Sequence, residues 1–247
     1  MTSEVHTHKN LQLYLTSRHD CSYLPGQDAR TLFVDPNLRI DRNHANWLQQ
    51  IGFRRSGRFF YRPACHVCQQ CVPVRVPVAD FQPNRSQRRN LRRNQDIEFI
   101  ARTPSFDQEH YELYRHYILS RHGDGDMAED LTPDSYRRFL LAPWAGQSRL
   151  LEMRAHGQLI GVAVSDCLTD GFSAVYTFFD PAQGARAPGT FAVLSQIRQA
   201  QQLGLKYLYL GYWIAESKKM AYKEKFRPIE AWNGQCWQRF DAGVSLR

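Results

Sequence analysis

Residues 205–228 read LKYLYLGYWIAESKKMAYKEKFRP. The run opens as a strand, because tyrosine and leucine over residues 205–210 suit a pleated, buried surface. Gly211 then removes side-chain bulk where another group can come close to the backbone. Ser217 is placed to cap a helix, and the segment that follows carries Lys218, Lys219, Lys223 and Lys225. Lys219 and Lys223 stand four apart, which on a continuous helix puts them on one face. A strand that opens at Gly211 onto Tyr212 and Trp213, and then onto lysines, reads as the wall of a site for an anionic ligand. The plainer reading is a core strand followed by a solvated basic helix.

Upstream, residues 189–203 have helical patterning with Phe191, Leu194 and Ile197 inward, closed by Gly204. Before them lies a meander: strands over 149–155, 158–165 and 172–179, with turns at His156-Gly157 and Asp170-Gly171. Residues 231–240 supply a last strand. Three antiparallel strands, a helix and a further strand is the order of the acetyltransferase-like (GNAT) fold. The expected class is therefore α/β (α+β) in two lobes, the C-terminal one a GNAT-like mixed sheet flanked by helices. A composition shift at Thr103-Pro104 divides them into residues 1–103 and 104–247. A GNAT enzyme cradles a pyrophosphate on a glycine-bearing turn where its helix starts. Here that turn runs Arg186-Ala-Pro-Gly-Thr-Phe191, and Phe191 replaces the closing small residue, which disfavours acetyl-CoA as the donor.

The N-terminal lobe is α+β with a cysteine cluster. Asp41 caps a helix that runs to Gln50 and stops at Gly52. Residues 53–62, FRRSGRFFYR, interleave arginine with aromatics around a Ser56-Gly57 turn. Arg54 and Arg55 offer planar forks for carboxylate or phosphate, or the segment is simply an amphipathic hairpin. Cys65, Cys68 and Cys71 follow in two CxxC steps, with Cys21 in an earlier loop. Four thiols suit a zinc site or an iron–sulfur cluster; the alternative is packed or redox-sensitive thiols. Residues 72–78 alternate as a strand whose prolines, Pro73 and Pro77, suit an edge. Next, Arg85, Arg88, Arg89, Arg92 and Arg93 fall at helical offsets, with no acidic residue from 85 to 95. That surface suits a phosphate backbone.

The 247 residues carry a net charge of +8, so a polyanionic partner fits. Residues 1–10 have no apolar core of a signal peptide, and no stretch approaches the ~20 apolar residues of a membrane helix. A cytoplasmic protein with no membrane partner is expected. Walker, GxGxxG, HExxH and GxSxG motifs are absent. The acidic run over residues 123–130 has Ala128 where a calcium loop needs an oxygen. What remains is acyl transfer to an amine from a donor carried on a polyanion, which an aminoacyl-tRNA satisfies. Its ester is already activated, so transfer requires no cofactor.

Seven pieces of the sequence sharpen this: Cys21-Ser-Tyr-Leu-Pro, Gly52-Phe-Arg-Arg-Ser-Gly-Arg-Phe-Phe-Tyr, the Cys65–Cys68–Cys71 steps, Ser86-Gln-Arg-Arg-Asn-Leu-Arg-Arg, Tyr176-Thr-Phe-Phe-Asp-Pro, Leu210-Gly-Tyr-Trp-Ile and Lys219-Met-Ala-Tyr-Lys. In these the chain resembles the arginyl-tRNA–protein transferase family, most closely its compact bacterial aspartate/glutamate leucyltransferase branch. Eukaryotic members carry a CxxC in the first loop and adjacent cysteines in the second cluster; here positions 24 and 69 are Leu24 and Gln69. The resemblance implies transfer of leucine from leucyl-tRNA to the α-amine of proteins beginning with Asp or Glu. This would give them a destabilising N-terminus. On that reading Arg54 or Arg55, with Lys219 and Lys223, holds the acceptor's acidic side chain. Tyr176, Tyr209 and Tyr212 line the leucyl pocket or donate to the oxyanion, and Arg85, Arg88, Arg89, Arg92 and Arg93 hold the tRNA. Cys21, Cys65, Cys68 and Cys71 would be the ligands of any metal. Arginyl-tRNA as donor and acetyl-CoA chemistry are the alternatives.

Overall fold

The computed structural model describes residues 11–122 and 126–246, so the N-terminal segment and part of the acidic run lie outside the described residues. The first elements are β1 (Leu13–Leu15), a short pair β2 (His19–Asp20) and β3 (Asp28–Ala29), β4 (Thr31–Val34), helix α1 (Arg42–Gln50), and the hairpin β5 (Arg54–Ser56) and β6 (Phe59–Pro63). Asp41 caps α1 as expected, its carboxylate accepting from the His44 amide at 2.9 Å. Strands β1, β4, β6 and β5 form an antiparallel four-stranded sheet in that order.

The chain continues through β7 (Val72–Pro77), α2 (Arg85–Arg93), β8 (Ile97–Arg102), α3 (Gln108–His122) and the short turns α4 (Asp126–Glu129) and α5 (Pro133–Tyr136). Then come β9 (Gln147–Ala155), β10 (Gln158–Cys167), β11 (Gly171–Phe179), α6 (Pro188–Gln202), β12 (Tyr207–Trp213), α7 (Lys218–Ala221), β13 (Ile229–Trp232) and β14 (Trp237–Phe240). The expected β-β-β-α-β order is present, and the fold is a mixed α/β one. The eight-stranded sheet runs β14-β13-β7-β12-β11-β10-β9-β8, with only β11 and β12 parallel.

Three differences from the sequence reading have plain causes. Residues 229–240 form two strands instead of one, because Asn233 accepts from the amides of Gln235 and Cys236 and turns the chain back. Strand β7 is internal, between β12 and β13, despite its prolines. Its pairing with β13 is confined to Val74 and Arg75, so the ladder on that side asks no N–H of Pro73 or Pro77. Third, β7 and β8 belong to the larger sheet, so the composition shift at Thr103-Pro104 falls inside one layered unit: β8 ends at Arg102 and pairs with β9.

Both faces of the larger sheet are buried. Leu208 and Leu210 of β12 point to the α6 side with Val193, Leu194 and Ile197. Tyr209 points the other way, into the core of the small lobe with Leu48 and Phe53. This two-sided burial explains why the strand is apolar on both phases of its alternation. Among the described residues no helix is long and apolar enough to cross a membrane.

Candidate active site

Strands β11 and β12 pair in parallel for three positions only, ending at Ser173 with Tyr209. Beyond that point each carries an irregularity. The β10–β11 register shifts where Ser165 pairs with Ala174 but Val164 with Tyr176. On the other side, the β12–β7 register shifts between Tyr209 and Gly211. Bulges bend strands and strengthen their twist, so the two strands part and leave a wedge-shaped opening in the sheet. Ligands of open α/β sheets characteristically bind where neighbouring strands part company.

Arg54, delivered from the small lobe by β5, fills the apex of the wedge. Its guanidinium donates to Ser173 Oγ at 2.8 Å and to the Ala174 carbonyl at 2.6 Å. Gly211 is what lets it in: φ is +78°, and a Cβ there would lie 2.8 Å from Arg54 Nε. The close approach expected at this glycine is therefore an arginine from the other lobe.

Lys223 enters from the far side. The basic segment is not one helix: α7 stops at Ala221 and a 3-10 turn carries residues 222–225. Ser217 sits at the N-cap position but makes no side-chain cap. The break turns Lys223 inward while Lys219 stays exposed, so the two lysines do not share a face. Lys223 is 7% exposed. Its Nζ donates to the Tyr212 carbonyl at 2.6 Å and contacts Met220 Sδ at 3.1 Å. Burial, reinforced by the nearby Arg54 charge, drops its pKa from 10.5 to about 7. Arg54 and Lys223 are thus two buried basic groups with no carboxylate among their partners in the described residues.

The opposite wall is aromatic. Tyr176 on β11 lies 5.1 Å from Phe139 and 6.5 Å from Tyr117, measured between ring centroids, and Tyr117 packs against Phe179 at 4.9 Å with the rings tilted by 59°. Tyr222 is 39% exposed, yet burial, with Tyr117 nearby and Arg54 opposing, pushes its hydroxyl up to about 12. Its ring packs 6.4 Å from that of Phe226.

The other sequence-based candidates divide sharply. Tyr209 is 1% exposed and its hydroxyl donates to Asp170 at 3.1 Å, away from the wedge. Tyr212 is also buried, and its single hydroxyl proton is directed at the carbonyls of Gly52 and Tyr61, so its side chain braces the lobes. What it presents to the site is its own carbonyl. Arg55 makes a bidentate pair with Asp166, both contacts 2.7 Å, with the arginine side chain fully enclosed. It holds β5 to β10 and has no fork left for a substrate. A doubled arginine at 54–55 cannot reveal which member faces the opening, since adjacent strand residues point to opposite faces.

The arginine helix forms as expected, with Asn84 and Gln87 completing a reciprocal cap. Arg85, Arg88, Arg89, Arg92 and Arg93 are all exposed. Its inner face carries the residues that sequence reasoning missed. Asn90 and Asn94 donate to the Arg186 carbonyl at 2.9 Å, where α6 starts after β11. Gln87 donates to the Lys225 carbonyl at 3.0 Å, just past β12. The helix therefore ties together the two sides of the wedge. Polar residues on the inner face of a highly charged helix were the available signal.

Cys71 lies behind Lys223. Burial, then the neighbouring thiols of Cys21, Cys65 and Cys68, raise its pKa to about 12, with Lys223 opposing. The four cysteines are neighbours, as the sequence suggested. Yet among the described residues no three His, Cys, Asp or Glu side chains converge as a ligand set. Metal binding needs deprotonated thiols in one coordination sphere; this arrangement does not fit one.

A family model described as "Arginine-tRNA-protein transferase, N terminus" matches residues 19–89, and one for the C terminus matches residues 109–233. A protein of Saccharophagus degradans named aspartate/glutamate leucyltransferase is 49% identical over 93% of this chain and 97% of its own. One of the same name from Pseudomonas aeruginosa is 47% identical over 92% and 96%. Another from Chromohalobacter salexigens is 47% identical over 94% of each. Among solved structures, the C-terminal domain of a putative lysylphosphatidylglycerol synthetase from Agrobacterium fabrum aligns at 14% identity and a TM-score of 0.44, covering 66% of this chain and 49% of that one.

Proposed function

Given that the chain belongs to the arginine-tRNA-protein transferase family, we propose that the wedge between β11 and β12 is where leucine passes from leucyl-tRNA to the α-amine of a protein beginning with Asp or Glu. The chain is an aminoacyltransferase. The observation that carries the site assignment is the pair of basic groups at the apex, the Arg54 cation and the Lys223 amine, buried together without a carboxylate. A buried charge lacking a counter-ion is costly, and an acidic acceptor side chain supplies one. Each charge-assisted hydrogen bond gained there contributes roughly 1.5–3 kcal/mol, or about ten- to a hundredfold in selection of Asp or Glu over Ala.

The chemistry is aminolysis of an ester. The amine's lone pair attacks the carbonyl carbon, the C–N bond forms, and the ribose oxygen leaves with a proton. Holding amine and ester together is the main demand. The aromatic wall of Tyr117, Phe139 and Tyr176 suits an aliphatic leucyl side chain. The exposed arginines of α2 supply phosphate contacts at the mouth, so that the acceptor stem lies outside and its 3′ end reaches in. The product carries an N-terminal leucine, an end that marks it for the degradation machinery. The ester arrives already activated, so the reaction calls on no metal. The test is transfer of label from leucyl-tRNA and arginyl-tRNA to peptides beginning with Asp, Glu or Ala. Leucine transferred to the first two is expected; a better yield from arginyl-tRNA, or equal yield on Ala, overturns the reading.

A further inference from the structure

An amine attacks only when it is neutral, and the acceptor's α-amine, with a pKa of about 7.7–8.0, is mostly ammonium at pH 7. Some group has to take that proton. Near the apex the described titratable and charged groups are Arg54 from β5, Cys71 leading into β7, Tyr61 from β6, Tyr23, Tyr212 on β12, and Tyr222 beside Lys223 itself. Arg54 keeps its protons. The hydroxyls of Tyr61, Tyr23 and Tyr222 and the Cys71 thiol are all raised by burial, so none is a ready anion. Lys223 differs. Its surroundings provide two acceptors, the Tyr212 carbonyl and Met220 Sδ. A neutral –NH2 has two N–H bonds to donate and one lone pair. The two contacts use both N–H bonds, whereas an ammonium would have a third donor left over.

We infer that Lys223 is the proton acceptor for the α-ammonium of the bound acidic acceptor. This rests on the acceptor occupying the Arg54–Lys223 apex. The step balances: α-NH3+ and Nζ H2 become α-NH2 and Nζ H3+. The acceptor's own carboxylate drives it. Before binding, the Arg54 charge and burial oppose a charge on Lys223; a carboxylate placed beside the two supplies the missing counter-ion, so protonated Lys223 becomes favourable as the amine arrives. The freed α-amine attacks the ester, its remaining extra proton leaves with the ribose oxygen, and Lys223 returns its proton to water when the product withdraws the carboxylate. Acidic first residues would then be selected in the chemical step as well as in binding, since an Ala acceptor brings no charge to lift the proton onto Lys223.

The experiment compares the full-length protein with Lys223→Arg and Lys223→Met, measuring kcat and KM for an Asp-starting peptide with labelled leucyl-tRNA from pH 6 to 9. Lys223→Arg keeps a permanent cation but cannot accept a proton. It should hold KM within about threefold and lose roughly tenfold in kcat at pH 7, the neutral fraction of a free α-amine. Its kcat should then rise about tenfold per pH unit up to that amine's own pKa, whereas wild-type kcat, with a second group to take the proton, should level off at a lower pH. Lys223→Met should lose both KM and kcat. A Lys223→Arg protein with wild-type kcat and the wild-type pH profile overturns the proton-transfer role while leaving the binding site standing. If neither Lys223→Met nor Arg54→Met changes the Asp-over-Ala preference, the binding reading itself fails. One measurement needs no variant. With 13Cε-labelled lysine, the Lys223 resonance should titrate near neutrality and move upward when succinamate, a carboxylate without an amine, is added. A resonance that titrates as an ordinary lysine, or ignores succinamate, also overturns the inference.

Discussion

Replacing Lys223 with methionine should make the protein more stable at neutral pH while damaging its activity. Burial and the neighbouring Arg54 charge bring this lysine from 10.5 to about 7. Each pH unit of such a change corresponds to about 1.36 kcal/mol, so the cost of keeping the lysine charged in the native state is on the order of 4–5 kcal/mol. Methionine has a similar apolar stem and no charge, but it leaves the Tyr212 carbonyl without its donor, a loss of about 1–3 kcal/mol. The net gain is therefore on the order of 1–4 kcal/mol. For a chain of this size that raises Tm by roughly 2–16 °C. The sign follows from proton counts. Between pH 7 and 10.5 the unfolded chain binds the proton that the native lysine has lost, so wild-type stability climbs with pH across that window. The methionine variant lacks this slope. Its advantage is largest at pH 7 and below, and shrinks by about 1.4 kcal/mol per pH unit above that. Calorimetry or urea unfolding at pH 6, 7, 8 and 9 reads it directly. A variant less stable than wild type at pH 7, or an advantage that grows with pH, refutes the picture of a strained, buried lysine.

Gly211→Ala should expel Arg54 from the apex, since the new Cβ would sit 2.8 Å from its Nε at a φ of +78°. We expect a loss of about 1–2 kcal/mol in stability from the backbone alone and disappearance of the preference for Asp over Ala acceptors, read by melting and competition assays. Arg55→Ala leaves Asp166 buried and unpaired, and should cost about 3–5 kcal/mol by denaturant titration; a mild loss of stability with selective loss of acceptor binding would instead make Arg55 a substrate ligand. Changing Arg88, Arg89 and Arg92 together to Ala should weaken tRNA binding and flatten its dependence on salt by about one unit of log–log slope for each phosphate no longer neutralised; an unchanged slope moves the RNA elsewhere. Chelation should leave leucyl transfer intact, because among the described residues no three His, Cys, Asp or Glu side chains are arranged to hold a metal ion; activity that falls with metal content, measured by mass spectrometry of the purified protein, would refute that.

Local chemistry determined much of this protein. The meander, the helix closed by Gly204 and a strand read over 205–210, found at Tyr207–Trp213, are written in periodicity and turn residues, because each depends on neighbours a few positions away. The outward arginines of α2 are legible for the same reason: one helical turn fixes which residues share a face. Family resemblance, spread across motifs from Cys21 to Lys223, carried the reading from acyl transfer to the leucyl reaction. What tertiary structure alone decided is which of the chemically equivalent residues face the opening. Arg54 rather than Arg55 reaches the apex because Asp166, more than a hundred positions away, claims the other. Tyr209 and Tyr212 are spent on Asp170 and on carbonyls of the small lobe. Lys223 turns inward because the helix gives way to a 3-10 turn at Tyr222, and its neutrality comes from burial beside an arginine from another lobe. Burial and long-range charge are sums over neighbours that a linear pattern does not contain, so the wedge became visible only once two bulged strands had parted and the other lobe had closed over them.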